Sequence, residues 1–133
     1  MKFLTLFFLL ASVAHAWEIQ HEKNQTFLHD KALKKPVKII AHPEKTEISA
    51  REISDGVTLI TYLESIGGTT SLNKIYNCAV YSRKSGKVVF KNKVCKVLRA
   101  ADKGTEVERE AHIEVKDGKV HYVFEELKDS YSL

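Results

Sequence analysis

Proline, glycine and cysteine are all scarce in this chain. Its 133 residues include 2 Pro, 6 Gly and 2 Cys. So little Pro and Gly, beside 44% hydrophobic and 29% charged residues, excludes a collagenous or disordered chain. Two thiols are too few for a disulfide-dense miniprotein or a four-thiolate zinc site. No Cys-x-x-Cys spacing is present to lower a thiol pKa for redox work. Gly-x-Ser-x-Gly, His-Glu-x-x-His and a phosphate-binding loop are also missing, so no enzyme is expected. The length is that of one domain.

What is present begins with an address. Met1–Ala16 carries Lys2, the apolar run Phe3–Leu10, and Ala14-His15-Ala16 as a small-x-small cleavage site. This predicts a secretory signal peptide over residues 1–16, cut before Trp17, because the apolar run is far short of the roughly 20 residues a transmembrane helix needs. No later stretch is long enough to span a bilayer as a helix. A single secreted domain, 17–133, would follow, with 20 basic and 17 acidic residues. In an oxidising compartment Cys78 and Cys95 are the expected staple. Asn24-Gln25-Thr26 is an N-glycosylation sequon, which puts Asn24 on the surface if it is used.

From Pro36 onward the pattern is β. Val37–Ala41, Thr46–Glu52, Val57–Ile66, Lys74–Arg83, Lys87–Arg99, Thr105–Val115 and Lys119–Leu127 read as strands between turn clusters. Phe27, Leu28, Ala32 and Leu33 fall near helical spacing, which predicts a short helix before Pro36. Connections this short make neighbouring strands antiparallel and leave no room for the βαβ units of dinucleotide enzymes. The expectation is an all-β antiparallel meander of seven to eight strands, closed as a small barrel or folded as a β-sandwich. In outline the strand succession resembles the lipocalin or calycin architecture, which implies a ligand held in the barrel mouth. The lipocalin Gly-x-Trp signature is absent, so no binding residue carries over.

Two hairpins can be registered by arithmetic. Asp117-Gly118 suits a type I′ loop, which sets Val115 opposite Val120, Ile113 opposite Tyr122 and Ala111 opposite Phe124 on a core face. Further out, Arg109 would face Glu126 and Glu110 would face Glu125. A type II′ loop at Gly86-Lys87 would set Cys78 directly opposite Cys95, Ile75 opposite Leu98 and Ala79 opposite Val94.

Charge is unevenly spread. Residues 74–99 hold Lys74, Arg83, Lys84, Lys87, Lys91, Lys93, Lys96 and Arg99 and no acid, whereas residues 100–133 carry nine acids and five bases. Strand alternation puts Lys91, Lys93, Cys95 and Arg99 on one outer face. Lys84, Lys87, Lys91, Lys93 and Arg99 then form a basic stripe for an anionic partner, or else pair with acids of the adjacent hairpin. His112, Glu114 and His121 share one face and are the candidate zinc ligands. An exported chain with no recognition-module pattern does not point to nucleic acid, and no cofactor is implied.

Two functions fit. One is a secreted carrier holding a small apolar or anionic ligand inside a β-barrel. The other is a secreted inhibitor or effector that binds an extracellular protein or a glycosaminoglycan through loops or the hairpin 74–99. An enclosed apolar cavity favours the carrier; a filled core favours the surface binder. The cystatin Gln-x-Val-x-Gly motif is absent.

Overall fold

The computed structural model describes residues 17–42, 47–67, 73–101 and 104–133. The predicted signal peptide 1–16 and the connection 68–72 lie outside the described residues. Among the described residues no helix occurs. Eleven strands run in order: β1 (Trp17–Glu22), β2 (Gln25–Asp30), β3 (Val37–Ile39), β4 (Ile48–Ser54), β5 (Val57–Gly67), β6 (Asn73–Ser82), β7 (Lys87–Ala101), β8 (Gly104–Glu110), β9 (His112–Lys116), β10 (Lys119–Phe124) and β11 (Leu127–Ser132). They form three antiparallel sheets in the orders β1-β2-β3, β4-β5-β6-β7-β8 and β11-β10-β9.

The chain is therefore all-β and antiparallel, as its short connections require. Its sheets are stacked rather than joined into one closed barrel, and the five-stranded sheet lies in the middle. Alternate residues of β5 and β6 enter two separate cores. Val57, Leu59, Cys78 and Val80 pack with Val120 and Tyr122 of the C-terminal sheet. Ile60, Tyr62, Ala79 and Tyr81 pack with Leu28, Leu33 and Ile39 of the N-terminal layer. A sheet covered on both faces needs apolar residues at successive positions rather than at every second one, and Val57-Thr58-Leu59-Ile60 is buried without a break.

The helix predicted before Pro36 is instead a hairpin and a loop. β1 and β2 pair from Trp17 opposite Asp30 to Glu22 opposite Gln25. Their two-residue turn, Lys23-Asn24, has φ of 47° and 65°, the left-handed pair a type I′ turn demands and that Asn tolerates. In β2 the buried residues are Thr26, Leu28 and Asp30. That period of two overrides the partial helical spacing of Phe27, Leu28, Ala32 and Leu33.

The predicted register of β6 and β7 is also corrected. The loop is four residues, 83–86, so that Ser82 faces Lys87, and Gly86 takes φ 66° where its N–H bonds Ser82 O at 2.9 Å. Three one-residue shifts follow along β7. Val89, one residue of Lys91-Asn92, and Cys95 are the extra residues. Cys78 thus faces Lys93 rather than Cys95, and Ile75 faces Val97 rather than Leu98. The thiols still meet: Cys78 and Cys95 lie at disulfide distance, with Cα atoms 5.7 Å apart. Bulges of this kind curl a sheet, and the middle sheet is curled into a half-barrel.

In the C-terminal hairpin the Asp117-Gly118 register is observed: Val115 faces Val120, Ile113 faces Tyr122 and Glu114 faces His121. Beyond it the predicted strands break. Ala111 leaves the ladder and donates its N–H to Cys95 O at 2.7 Å, which splits Thr105–Val115 into β8 and β9. Glu110 faces Lys96 and Arg109 faces Val97, not Glu125 and Glu126. Glu125, at φ 56°, turns the chain after Phe124 into β11.

Candidate functional site

The five residues proposed as a basic stripe do not form one. Asn92, with φ 58°, sits in a bulge between Lys91 and Lys93 and resets the alternation. Lys91 then reaches toward the N-terminal layer and donates to Lys38 O at 3.1 Å. Lys93 reaches the opposite way, to Asp129 at 2.8 Å, with its ammonium 4.7 Å from the Tyr122 ring centre. Lys84 pairs with Asp55 at 2.8 Å, Arg99 pairs with Glu106, and Lys87 donates to Ser132 O at 3.2 Å. Of the three other cations of the hairpin, Lys74 meets Glu47 at 3.0 Å and Arg83 meets Asp30 at 3.7 Å. Lys96 lies 5.3 Å over the Tyr76 ring. All eight charges therefore contact other parts of the same chain. Of their carboxylate partners, Asp30, Glu47 and Asp55 precede the hairpin, so the pairing is not only with the acidic hairpin that follows.

Electrostatics agree. The Lys93 ammonium holds the Asp129 carboxyl below its ordinary value, and the Lys84 ammonium does the same to Asp55. Burial works against the charge on Lys93, but its bonds to Asp129 and Tyr131 outweigh that and raise its pKa.

The zinc candidates keep the predicted register without converging. His112 Nε2 is 3.4 Å from Glu114 Oε2, both largely exposed. His121 turns away and meets Ser130 Oγ through Nδ1 at 2.9 Å. No group of three His, Cys, Asp or Glu among the described residues is placed to hold a metal ion. Asn24, the sequon residue, is exposed at the tip of the β1–β2 turn.

A site that sequence reasoning missed lies on the β2–β3 connection. Trp17, Glu18, His29, Asp30, Lys31, Leu33, Lys34, Lys35 and Pro36 line an open cleft of about 440 Å³. Its floor is built from Asp30, whose side chain is 1% exposed. One oxygen of Asp30 accepts from Ala32 N at 2.8 Å and the other from the Tyr81 hydroxyl at 2.6 Å. Burial, and then this bond to the carboxylate, raise the Tyr81 hydroxyl well above the ordinary tyrosine pKa. Leu33 N bonds Asp30 O at 2.9 Å, and Leu33 and Trp17 both pack onto the N-terminal core. The loop is thus folded around a buried acid, in the manner of an Asx-turn. Lys31, Lys34 and Lys35 project from it, exposed, and none pairs with a carboxylate among the described residues. The available signal was the run Asp30-Lys31-Ala32-Leu33-Lys34-Lys35-Pro36, a capped loop with three lysines and one apolar anchor.

The hairpin 74–99 braces this loop. Arg83 pairs with Asp30, and a Cβ placed on Gly86 would stand 2.7 Å from Ala32 O. The hairpin tip therefore touches the backbone of the loop at a distance only glycine allows.

No helix among the described residues is long and apolar enough to cross a membrane. No family model, curated protein or solved structure matches the chain.

Proposed function

We propose that the chain is a secreted, non-enzymatic binding protein that engages an anionic extracellular partner, a glycosaminoglycan, through the Lys31–Lys35 segment. The observation that carries this reading is the contrast in compensation. The eight hairpin cations contact their own chain, whereas three lysines within five residues project beside a cleft without a carboxylate partner among the described residues. Uncompensated like charges held close together raise the local potential and attract polyanions. The buried residues form two hydrophobic clusters on opposite faces of the middle sheet rather than the lining of one barrel interior, which favours a protein that works at its surface. Secretion, and a glycan on Asn24 at the β1–β2 turn, belong to the same reading. The test is retention on immobilised heparin. Changing Lys31, Lys34 and Lys35 together to Gln should abolish retention at physiological salt, where exposed charges act over about 8 Å. Unchanged elution of that variant would overturn the proposal.

A second reading, the carrier, rests on the uncovered half of the curled sheet. There Ser49, Arg51, Thr61, Lys96 and Glu110 line a groove of about 310 Å³ that also reaches Leu59 and Ile113. A small polar or anionic ligand retained by the wild type in native mass spectrometry, and lost on changing Arg51 and Lys96 to Gln, would favour it.

A further inference from the structure

We propose that the cleft beside Lys31–Lys35 is a subsite for one acidic sugar ring, a pyranose carrying sulfate or carboxylate. This rests on the reading that the segment faces an anionic partner, and it adds what the cleft itself would recognise. Three features point to a sugar rather than a bare anion or an acyl chain. Trp17, the only tryptophan of the chain, is half-buried on one wall and held against the core, leaving part of its indole for a flat apolar face. A pyranose presents such a face, and amphipathic aromatic rings supply large contact area at low entropic cost. Glu18 also lines the cleft, its carboxylate accepting from Gln20 Nε2. It would repel a naked anion but accepts hydrogen bonds from ring hydroxyls. The cleft is also open along one side, which suits one unit of a longer chain and does not enclose an acyl tail. The anionic substituent then lies toward Lys34 and Lys35.

The loop is preorganised for this. Asp30 holds Ala32 N and the Tyr81 hydroxyl, so little ordering remains to be done when a ligand arrives.

Trp17 emission reads the cleft directly, because no other tryptophan contributes. The mature chain should be titrated with a sulfated heparin disaccharide, the matching unsulfated disaccharide and inorganic sulfate. The sulfated disaccharide should quench and blue-shift Trp17 saturably. The unsulfated one should bind at least tenfold more weakly, and inorganic sulfate should leave the spectrum unchanged. K34Q/K35Q should weaken the sulfated disaccharide tenfold or more, whereas K93Q, which faces the C-terminal layer on the other side of the middle sheet, should not. Equal response to sulfated and unsulfated sugars, or a response to sulfate alone, would overturn the subsite. So would a silent Trp17 in a protein that still binds heparin through Lys31, Lys34 and Lys35, and that outcome leaves the proposed function standing. Loss of heparin binding from the wild type under the same conditions removes the broader reading instead.

Discussion

Two basic regions of this protein look alike in sequence and behave differently in the fold. Residues 74–99 carry eight cations on a long hairpin, and five of them meet carboxylates within 4 Å. Residues 31–35 carry three, and among the described residues these meet none. The number of charges alone would favour the hairpin as a binding surface. Compensation reverses the order: a cation beside its own carboxylate contributes little potential at a distance, whereas an uncompensated one acts on a partner. The regions are also joined. Arg83 neutralises Asp30, and the 83–86 loop packs on Ala32, so the hairpin supports the loop that presents the uncompensated lysines.

The largest effect should come from cutting that joint. Asp30→Ala removes the partner of Arg83, Tyr81 and Ala32 N at once. We expect a loss of about 3–5 kcal/mol in urea unfolding, the range for breaking a buried ionic group. Heparin retention should fall as well, although no lysine is altered. Retained stability would show that the two regions are independent. Next, Cys78→Ser should cost about 3 kcal/mol by the chain-entropy estimate for a loop of this length. Hydrogen exchange should then rise in β6 and β7 first. Peptide mapping without reductant should find the two cysteines bonded in the native protein, and two free thiols would remove the staple. Gly86→Ala places a methyl at positive φ and against Ala32 O, so a loss of about 2 kcal/mol is expected, as for strained left-handed positions. The smallest effect is Lys93→Gln, about 1 kcal/mol after solvent screening. Because Asp129 is held below its ordinary value, its share of this stability is present above the unfolded carboxyl pKa near 3.9. That share is lost as pH falls through the folded value. The wild type should therefore lose its advantage over Lys93→Gln in acid; an advantage that persists at low pH would show that Lys93 acts only by packing on Tyr122 and Tyr131.

How much of this could be read in advance depends on where local chemistry was unambiguous. Asp117-Gly118 set a two-residue turn, and the pleat then placed Val115, Val120, Ile113 and Tyr122 on one core face. The pairing of Cys78 with Cys95 was also legible, but not its geometry. The extra residues in β7 include Val89 and Cys95, which carry no local turn signal; only Asn92 has one. That is why Lys91 and Lys93, expected side by side, point to opposite layers. The three-layer stack was written in β5, where Val57, Leu59 and Leu63 alternate with Ile60 and Tyr62 so that both faces carry apolar side chains, a pattern that fits a strand buried on both faces as well as one wall of a barrel. The cleft was hidden because its parts, Trp17, His29 and Lys31–Lys35, come from a hairpin whose Lys23-Asn24 turn competes with partial helical spacing.

The difference between the two basic regions can be measured lysine by lysine. Brief acetylation of the native protein, read by peptide mass spectrometry with and without heparin, reports both availability and coverage. Lys31, Lys34 and Lys35 should react fastest and be protected by heparin, while Lys74 and Lys93 react slowly in either case. Heparin protection of Lys87, Lys91 and Lys93, with Lys31, Lys34 and Lys35 unaffected, would contradict the account.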